Sequence, residues 1–266
     1  MNESVFVKKT LDFFKKSGNP FIKKMYAFDD LGSTNRTAKE LALQNAREGT
    51  VVIAQTQSEG RGRFDRVWQS PKGGVYLSII LRPTTPVEKT SLLPFVAALA
   101  VAQAIMSYGL PARIKWPNDV LVNGKKIAGI LLESETSGAT LPYVVVGIGV
   151  NLNTPLSQLG FDIQKQSTTL RKEHGSSIEY YEFLDTLFQQ FDRFYQIFSA
   201  GKFEEIVEEW KQHSDTLGKP IRVQTIKETV EGIADSVDQS GFLLLKTKDG
   251  KIVRVMSGDC TDFHEL

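Results

Sequence analysis

The chain of 266 residues reads as an α+β protein, and three observations carry that reading. Runs of strand length, rich in Val and Ile, alternate with longer stretches of helical spacing through most of the chain. An Asn123-Gly124 pair joins two strand-like runs directly, which is the strongest hairpin signal present. From Gly218 onward the helical spacing stops and only short β runs follow.

Taken in order, residues 1–24 hold one short amphipathic helix, with Val7, Leu11 and Phe14 on one side and lysines on the other, ended by SGNP. It is expected to pack on the domain surface rather than to anchor in a membrane. MYAFDD reads as a strand, and Ser33 or Thr34 is placed to cap the helix that follows. TVVIAQ is a buried-type strand. GGVYLSIILRP is the next strand, and VEKTSLLPFVAALAVAQAIMSYG is an apolar helix closed by Gly109. ARIKW is strand-like and is stopped by Pro117. DVLVNGKKIAGILLESE contains the hairpin, and a second turn at Ser137-Gly138 leads into LPYVVVGIGVNLN. Residues 176–212 give two amphipathic helices. PIRVQTI, TVEGIADSV, GFLLLKT and KIVRVMSG then form a β module too small to stand comfortably alone, so it is expected to dock on the main domain.

Composition narrows the chemistry. No run approaches the roughly 18 uninterrupted apolar residues of a transmembrane helix, and charges break up the N-terminal stretch where a secretory signal would need an apolar core. The expectation is a cytoplasmic protein with no membrane partner. A net charge of +1 argues against a chain that coats nucleic acid, so any handling of anions must be local. One cysteine, Cys260, gives no internal disulfide, and His174, His213 and His264 have no zinc-ligand spacing, so no protein-held metal is expected.

Against that neutral background GRGRFDRVW, residues 60–68, stands out. Glycines let backbone amides converge on an anion, and arginines add permanently charged bidentate donors. A solvated basic turn has the same composition. The Walker A pattern, the dinucleotide fingerprint and the nucleophile elbow are all absent. KWPND supplies Lys115 at a strand end beside Trp116, Asn118 and Asp119, in what reads as a polar turn. KKIAGILLE brings Lys125 and Lys126, then Gly129, where another group could approach the backbone. Gly147 and Gly149 share one sheet face, making either a flat wall for a ring or a seat for a helix. Asn151 and Asn153 could read a base edge or cap a turn.

Read together, GSTN, AQTQSEGRGRFDRVW, GGVYLSIILRP, KWPNDVLVNGKKIAGILLE and VVVGIGVNLN closely resemble the catalytic domain of biotin protein ligases, from about residue 26 to 155. The likeness continues more loosely into an SH3-like C-terminal module. It implies a mixed central sheet flanked by helices, of the class II synthetase-like kind, plus a small β-barrel. The expected division is a helical extension at 1–25, a catalytic domain at 26–215 and the SH3-like domain at 216–266.

The resemblance also implies an activity: biotin is activated by MgATP as biotinyl-5′-AMP, then transferred to a lysine of a biotin carboxyl carrier domain. Carried over residue by residue, Ser33, Thr34 and Gln57 would bind the ureido ring, whose buried polar atoms need partners. Gly60, Arg61 and Gly62 would wrap the biotin tail and carboxylate, while Tyr76, Gly129 and Leu131 would wall the ring. Arg63, Arg66 and Lys126 would meet the phosphates. Trp68 would cover the adenine, Asn151 would contact base or ribose, and Asn118 would join the nucleotide side. Lys115 would bridge carboxylate and α-phosphate, making Lys115, Arg61 and Arg63 the catalytic set. Asp119 is a candidate base for the acceptor lysine, with a structural role equally open.

Two departures accompany the resemblance. Some members carry Arg-Gly where this chain has Phe64-Asp65, so its loop is less basic and less flexible there. Other members carry an N-terminal helix-turn-helix, for which residues 1–25 are too short, and no operator binding is expected. Family members pair through the central sheet, so a homodimer is open to this chain, and no exposed stripe in the sequence decides it. A lipoate or octanoate ligase is the nearest rival, but its Arg-Arg, Ser and triple-Gly signature is missing. A non-enzymatic nucleic-acid binder using the basic loop is the rival from another class.

Overall fold

The computed structural model describes residues 4–137 and 140–263. Gly138, half of the second expected turn, and His264 lie outside them. The strand-like runs become β1 (Lys24–Leu31), β2 (Thr50–Gln57), β3 (Val75–Leu81), β4 (Ala112–Lys115), β5 (Asp119–Val122), β6 (Lys125–Ser137) and β7 (Thr140–Val150). They make one sheet in the order β1-β2-β3-β7-β6-β5-β4. β1 runs parallel to β2 and the other neighbours are antiparallel, so the sheet is mixed as expected. At the β5–β6 turn Asn123 and Gly124 sit at φ 51° and 73°, the pair of positive values that a type I′ hairpin requires.

The helices are α1 (Val5–Ser17), α2 (Thr34–Leu43), α3 (Leu93–Met106), α4 (Phe161–Gln166), α5 (Leu170–His174), α6 (Tyr180–Ser199) and α7 (Phe203–His213). One sheet face carries Val51, Ile53, Leu77, Ile79, Val146 and Ile148, all buried in one core with α3 and α6. Each such aliphatic contributes roughly 1.5–3 kcal/mol when fully buried. Val87–Met106 is one continuous helical stretch, long and apolar enough to cross a bilayer, but its Leu93–Met106 part packs almost wholly into the protein core. Trp210 of α7 stacks on Phe95 of α3 at 4.4 Å. On the opposite face α2 lays Ala38 and Ala42 over Val52, Ile80 and Val145. α2 covers only that end of the face, leaving the rest for the site. The N-terminal helix α1 docks on α6, with Phe13 against Tyr181 at 5.5 Å and Phe6 against Tyr180 at 5.9 Å.

The C-terminal module holds β8 (Pro220–Gln224), β9 (Thr229–Val237), β10 (Leu243–Lys246), β11 (Ile252–Val255) and β12 (Asp259–Asp262), in the antiparallel order β11-β10-β9-β8-β12. The sequence announces only four of these. DCTD has no apolar alternation, and it becomes a strand because Cys260 pairs with Val223 at the edge of β8. Ile221, Val223, Leu243 and Leu245 belong to the same buried cluster as α3, so the module is docked. Trp116 is the main correction to the sequence reading. It lies in the expected turn between β4 and β5, but instead of facing solvent with its polar neighbours it is 2% exposed, and its bond to Pro117 is cis. Its indole Nε1 donates to the carbonyl of Gly241 at 3.0 Å, and its backbone N–H donates to Thr216 Oγ1 at 2.9 Å.

Trp116→Phe keeps an aromatic ring but leaves the buried Gly241 carbonyl without its donor. A loss of about 1–3 kcal/mol is expected for such an orphaned group, read as a lower midpoint in chemical denaturation.

Candidate active site

The β1–α2 connection places Ser33 at the helix N-terminus, but its side chain makes no capping bond. That hydroxyl, 2% exposed, is left lining a cavity of about 760 Å³. Thr34 beside it donates from its backbone N–H and its hydroxyl to Gln57 Oε1, at 2.8 and 3.1 Å. Gln57 Nε2 in turn donates to Ser70 Oγ at 2.9 Å. Ser33, Thr34 and Gln57 thus meet at one end of the cavity.

Beyond β2 the arginine loop is a small hairpin. Gln57 bridges to Ser70 and Arg61 to Val67, while Trp68 N–H donates to Gly60 O at 2.9 Å. Gly60 permits this closure, because a Cβ there would stand 2.3 Å from the Trp68 carbonyl oxygen. Gly62 has only ordinary contacts at that position, so close packing does not explain it. The hairpin swings Trp68 across the sheet onto two glycines: a Cβ would come within 2.6 Å of the indole from Gly149 and 3.1 Å from Gly129. Gly147 seats something else, since a Cβ there would be 2.2 Å from Asn35 Oδ1 of α2. Both readings of the glycine pair are therefore realised, a wall for a ring at Gly149 and a seat for a helix at Gly147.

The cations are held individually. Arg61 pairs with Glu133 at 2.9 Å, Arg66 with Asp259, and Lys126 with Asp119 at 2.7 Å. Arg63 reaches Asn118 Oδ1 at 3.4 Å and Gly258 O at 3.2 Å, and burial lowers its pKa from the ordinary arginine value. Lys126 Nζ also lies 5.4 Å from the Trp68 ring. Lys115 lines the same cavity half-buried, with no hydrogen bond or ion pair among the described residues. Asn151, 3% exposed, lines it too, and its side chain makes no hydrogen bond among the described residues. Leu131 and Asn118 complete the walls. Asn153 is turned away, holding the backbone of Ile178 at 2.8 and 2.9 Å.

Tyr76 is placed differently from the expectation. It stands opposite Gly149 on the site's face of the sheet, but its ring is 1% exposed and does not line the cavity. Its hydroxyl donates to Pro71 O at 2.7 Å, which fixes the phenol beneath the chain leaving the hairpin, and burial raises its pKa. Sequence reasoning also missed several cavity residues. Asn35 lies in the GSTN motif without an assigned role, and Glu133, which stands behind the cavity wall on Arg61, ends the motif that KWPND opens, also unassigned. Asp259 comes from the unannounced strand β12, and Leu159 and Ile163 from the segment around the short α4.

Residues 28–151 match the biotin/lipoate A/B protein ligase family, and residues 216–261 match the biotin protein ligase C terminal domain. A biotin--[acetyl-CoA-carboxylase] ligase of Paracoccus denitrificans is 38% identical over 226 residues, which is 83% of this chain and 93% of that protein. The chain belongs to the biotin protein ligase family. The bifunctional ligase/repressor BirA of Bacillus subtilis is 39% identical over 233 residues, 87% of this chain and 71% of that protein. The fold is similar to that of the Aquifex aeolicus biotin protein ligase in complex with biotin and ATP, with a TM-score of 0.78 at 28% identity, covering 90% of this chain and 98% of that one.

Phe64 and Asp65, where some biotin protein ligases are expected to carry Arg-Gly, form the hairpin tip. Both have positive φ, 53° and 56°, and the Arg66 N–H closes the turn on Arg63 O at 3.2 Å. Non-glycine residues in this region cost roughly 1 kcal/mol each. The Arg63 guanidinium lies 4.7 Å from the Phe64 ring, a contact that offsets part of that cost. The tip is an ordered turn, and its two residues set the direction in which Arg63 and Arg66 leave it.

Gly149→Ala is expected to push the Trp68 indole off the sheet. The other two tryptophans, Trp116 and Trp210, are core residues, so the change should appear as a red shift of the intrinsic fluorescence.

Proposed function

We propose that this chain activates biotin with ATP and transfers it to a lysine of a biotin carboxyl carrier domain. The observation that carries this reading is Lys115, a half-buried cation whose side chain has no hydrogen bond or ion pair among the described residues. It lines a single cavity that has a hydrogen-bonding end at Ser33, Thr34 and Gln57 and a cluster of further cations. A chain that leaves a half-buried ammonium uncommitted among arginines is arranged for an anion that arrives later.

In the first step a biotin carboxylate oxygen attacks the α-phosphorus of ATP. The new O–P bond forms as the bond to the β-phosphate oxygen breaks, and pyrophosphate leaves. Ser33, Thr34 and Gln57 hold the ureido ring, Leu131 and Gly129 wall it, and Gly60, Arg61 and Gly62 enclose the tail and carboxylate. Lys115 spans carboxylate and α-phosphate, where negative charge accumulates. Arg63, Arg66, Asn118 and Lys126 take the nucleotide phosphates, with Trp68 and Asn151 against the base and ribose. Mg2+ enters with the triphosphate. Asp119 and Asp259 are the carboxylates lining the cavity, and no cluster of three or more ligating side chains exists among the described residues. The ion's chemistry is to neutralise phosphate charge, and these two carboxylates suit the one or two protein ligands Mg2+ usually takes. In the second step the acceptor amine attacks the acyl carbon, AMP leaves, and the amine's proton departs. Residues 26–215 carry both steps, and Gly258 and Asp259 of the C-terminal module close the site from one side.

The test is transfer of labelled biotin to a carrier domain with ATP, with lipoate as competitor. Biotin-dependent labelling that lipoate does not suppress is expected, and lipoate transfer without biotin transfer overturns the reading. Lys115→Ala should slow adenylate formation, followed by biotin-dependent ATP–pyrophosphate exchange, by about 10²-fold or more, the scale of one lost charge aimed at a transition state.

A further inference from the structure

Asn35 and Glu133 have no place in the chemistry above, yet they are the middle of an unbroken hydrogen-bonded chain. Gln57 Oε1 accepts from the Thr34 backbone N–H at 2.8 Å, and the Thr34 hydroxyl has one proton, which it places either on Gln57 at 3.1 Å or on Ser78 Oγ at 2.8 Å. Ser78 Oγ donates to Asn35 Oδ1 at 2.5 Å, and Asn35 Nδ2 donates to Glu133 Oε2 at 2.8 Å. The other carboxylate oxygen of Glu133 accepts from Arg61 at 2.9 Å. Thr34, Asn35 and Ser78 are 4%, 4% and 0% exposed, so each must keep its partner or suffer the cost of a buried unpaired polar group. A second arm leaves the same glutamine: Gln57 Nε2 donates to Ser70 Oγ, which donates to the carbonyl of Trp68 at 3.0 Å. The arginine hairpin is thus tied at both ends to the residues that hold the ureido ring.

We propose that Asn35 and Glu133 are positioning residues that couple occupancy of the ureido end of the cavity to the position of Arg61 and its hairpin. The inference rests on the proposed biotin reading. Gln57 and Thr34 have few bonding groups, so a ureido ring that takes one of them reorders the rest of the chain. Glu133 is the terminal switch point because its two oxygens are divided, one to the buried amide and one to the partly exposed guanidinium. An exposed ion pair alone would contribute little. Here Asn35 fixes the carboxylate, and Asn35 reaches its place because Gly147 has no side chain, a Cβ there falling 2.2 Å from Asn35 Oδ1.

The experiment measures binding of biotinol, which carries the ureido ring but no carboxylate, together with escape of the activated intermediate, read as labelling of lysines on a bystander protein. Arg61→Gln cuts the chain at its exposed end, where folding is not at stake. It should weaken biotinol binding about threefold or more, and Glu133→Gln, which leaves Arg61 in place beside the tail, should weaken it by a similar factor. Glu133→Gln should raise bystander labelling about tenfold, the upper range of coupling through such networks. The double variant should match Glu133→Gln alone, because one chain is broken once. Biotinol binding unchanged by Arg61→Gln, or additive effects in the double variant, overturns the inference. Should Glu133→Gln fail to fold, the biotinol result with Arg61→Gln decides alone. Wild type that binds no biotin overturns the proposed function and this inference with it, whereas wild type that binds and transfers biotin isolates the relay.

Discussion

The constraint on which the site depends is the lack of side chains along one stripe of one sheet face. Gly129 and Gly149 stand opposite each other on β6 and β7, and Gly147 follows two residues earlier on the same face. With any larger residue, the indole of Trp68 could not lie flat on the strands and Asn35 could not descend from α2. One stripe therefore fixes both the closing hairpin and the helix that carries Ser33 and Thr34. The opposite face of the same strands is packed with Val and Ile against α3, which makes the stripe rigid. Interior packing supplies a flat support, and the bare backbone on the other side of it supplies room.

Electrostatics then follows from how that room is filled. Concentrating three arginines and four lysines around one cavity is repulsive, and Glu133, Asp259 and Asp119 offset it by pairing with Arg61, Arg66 and Lys126. These pairs are half-exposed, so each is worth about 1 kcal/mol or less and a phosphate can replace the carboxylate at small cost. The pairs hold the cations in position while the cavity is empty, so little reorganisation is left for the reaction. Lys115 has no such stand-in. Its strand end, held between Trp116 in the core and Asn118 bonded to the Ile130 carbonyl at 2.6 Å, fixes its position instead.

Much of the architecture was legible because hydrophobic period, Asn-Gly turns and glycine-closed helices are local signals. The seven strands of the main sheet and the five longer helices can be traced that way, as can the cavity residues that lie in the loop and strand-end motifs. What was not legible depends on distant pairing. β12 is a strand only because β8 lacks a neighbour, and it alone brings Asp259 to Arg66. Asn35 looks like an ordinary first-turn residue until Gly147, far along the chain, is placed beneath it. Trp116 reads as part of a polar turn because its sequence neighbours are polar, while its indole answers to Gly241 in the other module. Tyr76 sits on the correct face, but the Pro71 carbonyl claims its hydroxyl and the hairpin's exit covers it.

The order of the hairpin tip also bears on how an acyl-phosphate intermediate survives. Such a mixed anhydride lasts only where water is excluded, so the loop must spend its time closed once the intermediate forms. Glycine at the tip would keep the loop supple and make closure entropically costly, because glycine loses the most conformational freedom on ordering. Phe64 and Asp65 shift that balance. They accept the expense of left-handed backbone, but their side chains narrow the open ensemble, so less entropy is lost when the hairpin forms. Arg63 then links the tip to Gly258 and Arg66 links it to Asp259, which makes the C-terminal module the far wall against which the loop closes. In this chain the lid is stabilised by where it lands and by how little freedom it has to surrender on the way.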